Sequence, residues 1–111
     1  MSDFRINDGF GQHPKTVGLS LEAVGLWALA GTWSMRYLTD GAVPDEVMRG
    51  LCGRRRRVLH ELAEHGLIAG TPDGNWQFVD WLQYQRSRAQ IEDEREKTRK
   101  RLADWRAQQR K

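Results

Sequence analysis

Two short helical segments meet at Gly53, and four arginines in a row, Arg54, Arg55, Arg56 and Arg57, follow the junction. The stretch Pro44-Asp45-Glu46-Val47-Met48-Arg49-Gly50-Leu51 reads as about two turns of helix started by proline. After the turn, Val58, Leu59 and Leu62 recur at helical spacing, so a second helix is expected over residues 54–65, closed by Gly66 at its C′ position. Two short helices joined by a few residues with glycine form the helix-turn-helix pattern, whose second helix enters the DNA major groove. Few folds accept that arrangement, and it sets the frame for the rest of the chain.

The flanking segments agree with it. Ser20 is a suitable N-cap for a helix over residues 21–38, with only half a capping box because Ala23 stands three residues on. Two apolar stripes run along that helix. Val24, Trp27, Ala28, Gly31, Met35 and Leu38 form one, and Leu26, Leu29, Ala30, Trp33 and Tyr37 the other, which predicts burial on two sides. Beyond Gly66, Leu67-Ile68-Ala69-Gly70 and Trp76-Gln77-Phe78-Val79-Asp80-Trp81 read as strands around an Asp73-Gly74 hairpin turn. Trp76, Phe78 and Asp80 share one face of the second strand by alternation. Phe4-Arg5-Ile6-Asn7 also alternates and predicts a short strand. The expected fold is mainly α with a small β-hairpin: a winged helix-turn-helix over residues 1–85, then an extended charged C-terminal helix over 86–111. Ser87 and Gln90 supply the S-x-x-Q capping box of that last helix.

Charge separates the two parts. Residues 1–85 hold eight bases against ten acids, net −2, whereas residues 86–111 hold ten bases against five acids, net +5. Such asymmetry points to an anionic partner, and double-stranded DNA is the expected one. On a helical wheel Arg56, Arg57, His60, Glu61 and Glu64 lie opposite Val58, Leu59 and Leu62, with Arg54 at the edge of that arc. Arg56 and Arg57 are therefore the expected base or phosphate contacts, with His60 beside them, and Arg54 suits the phosphate flank. Arg55 projects onto the apolar side, its head reaching solvent. The guanidinium fork matches guanine O6/N7 or a phosphate bidentately. A solvated-face reading competes, because Arg57 with Glu61 and His60 with Glu64 are i, i+4 pairs. In the tail, Arg95, Arg99, Arg101 and Arg106 are expected to attract phosphates with little sequence preference. There Asp93 with Lys97 and Glu96 with Lys100 are expected helix-stabilising pairs. The hairpin tip carries Asp73 and no base, so it is expected to support the fold rather than enter a groove.

Other chemistry finds little support in the residues. His60 and His65 stand at i, i+5, not the i, i+4 spacing that puts two metal ligands on one helix face, so no metal is expected. No glycine-rich phosphate loop and no nucleophile with a base beside it is present; no enzyme activity and no cofactor are expected. Cys52 is the only cysteine, which excludes an internal disulfide and suits a reducing compartment. No apolar run approaches the roughly 20 residues of a bilayer span, and the first residues lack the layout of a secretory signal. A cytoplasmic location without membrane contact is expected.

Several short motifs carry a resemblance. They are His13-Pro14-Lys15, Gly25-Leu26-Trp27, Gly31-Thr32-Trp33-Ser34, and Tyr37-Leu38-Thr39-Asp40-Gly41 before Val43-Pro44. Glu64-His65-Gly66-Leu67, Phe78-Val79-Asp80-Trp81 and Gln83-Tyr84-Gln85 continue the series into the charged helix. Together they resemble the small winged helix-turn-helix proteins of actinobacterial phages and prophages, and the N-terminal domain of phage replisome-organiser or replication-initiation proteins. That resemblance implies a winged-helix fold, DNA binding, and a part in phage replication or transcriptional control in the bacterial host cytoplasm. The alternative is a protein-interaction module in which the winged helix is a scaffold and the C-terminal helix docks a host or phage protein, without DNA. Pairing of two copies into a homodimer through that helix is a further expectation for it.

Overall fold

Helix α1, Leu21–Tyr37, is the spine on which the other elements pack. The structure, a computed structural model, describes residues 2–110. Ser20 starts α1 by accepting the Ala23 N–H on its Oγ at 3.1 Å, and Leu38 ends it in a left-handed conformation, φ 54°. One broad face is buried, made of Ala23, Leu26, Trp27, Ala30, Gly31, Ser34 and Met35. The expectation of burial on two sides is corrected: Leu29 and Tyr37 of the second stripe are exposed. Ser34 is fully buried, and its Oγ accepts the Gly41 N–H at 2.8 Å and meets Thr39 Oγ1 at 2.6 Å. This single hydroxyl holds the turn that leaves α1. Gly41 has φ 89°, and a Cβ there would lie 2.8 Å from Gln77 Nε2 and 3.0 Å from Trp81 Cβ, so the turn requires glycine.

Strand β1 (Ala42–Val43) leads into α2 (Asp45–Cys52), α3 (Arg56–Glu64), and the hairpin strands β2 (Ile68–Gly70) and β3 (Trp76–Phe78). The sheet is antiparallel in the order β1-β3-β2, with Val43 opposite Trp76 and Ile68 opposite Phe78. At two residues, β1 is too short to announce itself in sequence; it exists because β3 offers a free edge. The second hairpin strand stops at Phe78. Asp80 turns left-handed at φ 58° and starts a short helix, α4 (Trp81–Tyr84), which ends the predicted strand before Asp80 and Trp81. Helix α3 likewise starts two residues later than predicted, leaving Arg54 and Arg55 outside it.

Residues 4–7 form no strand. Instead the Arg5 backbone donates to Gln85 Oε1 at 2.8 Å and accepts from Gln85 Nε2 at 2.6 Å, an imitation of a sheet pairing by one buried amide side chain. This fixes Phe4 among Trp27, Phe78 and Trp81, with ring centroids 4.9–6.1 Å away. The core joins these rings to Met48 of α2 and to Val58, Leu59 and Leu62 of α3.

The final helix, α5 (Arg88–Gln109), opens with the complete capping box predicted for Ser87 and Gln90. Its first turn is fastened to the body, because the Arg88 N–H donates to Asp40 Oδ1 at 2.6 Å and Ile91 is in the core. Residues 92–109 are all exposed. The long axis of the molecule, 62 Å against 31 and 22 Å, reflects this projecting helix. A mainly helical chain with a three-stranded antiparallel sheet and a long terminal helix is thus established, consistent with a helix-turn-helix that carries a hairpin. No helix among the described residues is long and apolar enough to cross a membrane.

Candidate nucleic-acid interface

The turn between α2 and α3 is built on Gly53, whose φ of 59° and ψ of −125° lie where side chains are disfavoured. Arg54 follows in the turn. Arg55 takes the N-cap position of α3 but has no side-chain oxygen to offer the helix, so no side chain caps that N-terminus. The inward side of α3 buries Val58, Leu59 and Leu62, which leaves Arg56, Arg57, His60 and Glu64 on the exposed side. The wheel expectation therefore holds for the helix itself: the side chain of Arg57 is 83% exposed and that of Arg56 43%.

Carboxylates from other elements steady these arginines. Glu22, in the first turn of α1, lies 3.6 Å from Arg55 Nη1 and 3.9 Å from Arg57 Nη2. Arg55, whose side chain is 67% exposed, keeps its head at the surface beside this carboxylate. Asp45 lies 3.5 Å from Arg56 Nη2, while Arg49 Nε approaches its other oxygen at 2.8 Å. The predicted pairs within α3 do not form. Glu61 accepts from both the N–H and the hydroxyl of Ser20, each at 2.9 Å, which locks α3 to the start of α1 and releases Arg57. His60 is exposed; His65 turns its Nδ1 to the Lys15 carbonyl at 3.1 Å.

Asp45 is the residue that sequence reading missed. Besides the two arginines it accepts the Trp76 indole N–H at 2.9 Å, and its own backbone N–H donates to Asn75 Oδ1 at 2.9 Å. The hairpin therefore braces the start of α2, and Asn75 is occupied there. Only the i, i+4 relation of Asp45 to Arg49 was visible in the sequence. At the hairpin tip Thr71 donates to Asp73 and holds its carboxyl below the ordinary aspartate range. That tip stays anionic at neutral pH and repels phosphate.

The tail arginines form a separate set. Arg55 and Arg57 lie at the first turn of α1, whereas α5 is fastened beyond its other end, and α1 is about 25 Å long. Arg95, Arg99, Arg101 and Arg106 are exposed along α5. Arg99 pairs with Glu96 at 2.5 Å, in place of the predicted Glu96–Lys100 pair, and Lys97 meets Asp93 at 3.0 Å as predicted. Arg101 Nη2 donates to Thr98 Oγ1 at 3.4 Å. Arg95 and Arg106 have no carboxylate partner among the described residues.

The hub at Asp45 makes a pH-dependent prediction. The Trp76 hydrogen bond, helped by Arg49 and Arg56, lowers its carboxyl below the ordinary value of 3.8. A depressed folded-state value contributes stability that is present above 3.8 and lost as pH falls through the folded value. Asp45→Asn should therefore be less stable than the parent at pH 7, with the gap closing as the pH drops below the ordinary value. Urea unfolding at a series of pH values reads this; a gap that widens toward acid would contradict it. No family model, no curated protein and no solved structure matches the chain.

Proposed function

We propose that the chain is a non-enzymatic DNA-binding protein of the winged-helix kind, reading duplex DNA through α3. The observation that carries this is the N-terminus of α3: an exposed arginine cluster where the helix has no side-chain cap. Cations at that end oppose the helix macrodipole, at a cost of a few tenths to about 1 kcal/mol, and an anion docked there reverses the sign. Arg56 and Arg57 supply base-edge or phosphate contacts, with Arg54 and His60 at the flanks. Arg95, Arg99, Arg101 and Arg106 add attraction to backbone phosphates that does not depend on sequence. The resemblance to small actinobacterial phage and prophage proteins extends the proposal to replication or transcriptional control, in the host cytoplasm.

A salt titration tests it. Affinity for duplex DNA, followed by fluorescence anisotropy, should fall with salt at a log–log slope of roughly −3 to −5, as expected for about three to five neutralised phosphates. The competing reading is a scaffold that docks another protein through α5, and the exposed Leu102 and Trp105 favour it. Absence of duplex binding at about 50 mM salt, where phosphate contacts are strong, would decide for that reading.

A further inference from the structure

Helix α5 carries a largely apolar stripe alongside the arginines proposed to contact DNA. Thr98, Leu102, Trp105 and Gln109 all fall within about 40° of Ile91 around the helix, at 100° per residue. Ile91 fixes that direction by pointing into the core, and past it the same face leaves the body. Leu102 is 49% and Trp105 59% exposed there, and Arg95, at the edge of the stripe, is its one charge. A 22-residue helix with a single buried residue gains little from tertiary packing, which is the usual source of helix stability in proteins. A seam with a single charge between strongly charged flanks matches the face of a second helix rather than a polyanion.

We infer that α5 pairs antiparallel with α5 of a second copy of this chain. Charge selects both the partner and the direction. Residues 88–96 hold two bases and four acids, net −2, while residues 97–110 hold six bases and one acid, net +5. Parallel pairing would set the cationic halves side by side; antiparallel pairing sets each against an acidic half. In an antiparallel helix pair like flanks meet, and a two-fold axis near Thr98 brings Glu94 of each copy to Arg101 of the other. Glu92 and Arg106 meet on the opposite flank. Trp105 then lies over the seam near Ile91 of the second copy, where the body begins. Glu94 also contacts Arg86 at 2.5 Å, yet its side chain remains 54% exposed and has acceptor capacity left. Arg95 and Arg99 approach their counterparts near the axis, a repulsion softened by the bond from Arg99 to Glu96. Lys97 and Lys100 lie on the far arc and stay outside the seam.

The test uses the full chain without DNA, so its outcome is separate from that of the DNA-binding reading. Light scattering and sedimentation equilibrium are run from about 5 to about 500 µM, the range that reads micromolar dissociation constants. The expected result is a reversible dimer. Leu102→Ala with Trp105→Ala, exposed positions that leave the core intact, should weaken it about tenfold or more. Glu94→Arg alone and Arg101→Glu alone should each weaken it as well, and an equimolar mixture of the two variants should restore association. Only the antiparallel register places those two positions opposite each other across copies. A monomer throughout, dimers indifferent to Leu102 and Trp105, or a mixture no tighter than its components would each overturn the proposal.

Discussion

With Arg56 and Arg57 both replaced by alanine, the protein should bind its preferred duplex about thirtyfold more weakly or worse. A bidentate arginine contact to a base edge contributes about 1–3 kcal/mol of discrimination, so losing two at the lower bound removes about 2 kcal/mol. The fold should change little in stability. Losing Arg56 removes one cation from the Asp45 hub, while losing both side chains relieves charges that oppose the α3 macrodipole, opposing effects of about a few tenths of a kcal/mol each. Arg57 should account for the larger share, because its one carboxylate neighbour among the described residues is 3.9 Å away, whereas Arg56 must leave Asp45 to reach a base. The double lysine variant separates the two uses of arginine. It keeps the charge and most of the salt-dependent affinity, and it loses the planar fork that discriminates between sequences. Anisotropy titrations with preferred and scrambled duplexes measure both quantities. Unchanged affinity and unchanged preference in the alanine variant would remove α3 as the reading element.

What the sequence made legible is what neighbouring residues decide. Gly53, Gly66 and Gly74 sit at positive φ, where their places between apolar runs predicted turns, and the Ser87 capping box was readable from its own four residues. The arginine cluster was legible for the same reason, since wheel geometry follows from spacing alone. Its electrostatic setting was not. Glu22 and Asp45 reach the arginines from other helices, and no local rule relates residues so far apart. The i, i+4 rule in fact misassigned Glu61, which serves Ser20 because α3 packs against the entry to α1. Strand β1 and helix α4 stayed hidden because each is a few residues long and is set by its contacts: β1 by the edge of β3, α4 by the left-handed turn at Asp80. The alternation in residues 4–7 pointed to a strand, and a glutamine side chain took the place of the missing partner strand.

That N-terminal segment should contribute more to stability than its length suggests, and Gly31 shows how. A Cβ at residue 31 would lie 2.3 Å from Phe4 Cζ and 2.4 Å from Phe4 Cε1, so the ring occupies the space that any other residue would need. Phe4→Ala removes edge and stacked contacts with Trp27, Trp81 and Phe78 and should cost about 2–4 kcal/mol, near the lower end for a buried phenylalanine because Phe4 is only partly buried. Gly31→Ala brings opposing effects. Alanine is favoured over glycine within a helix by about 1 kcal/mol, but displacing the ring from a packed aromatic cluster costs about 1–3 kcal/mol. The packing term should win in the parent protein, making Gly31→Ala destabilising. In the Phe4→Ala background the obstructing ring is absent, only the propensity term remains, and the same substitution should stabilise. Urea unfolding of the parent, both single variants and the double variant closes the cycle. A reversal of sign between the two backgrounds is the expected result. Stabilisation by Gly31→Ala in the parent would mean that Phe4 is not held against α1 and that the N-terminal segment adds nothing to the core.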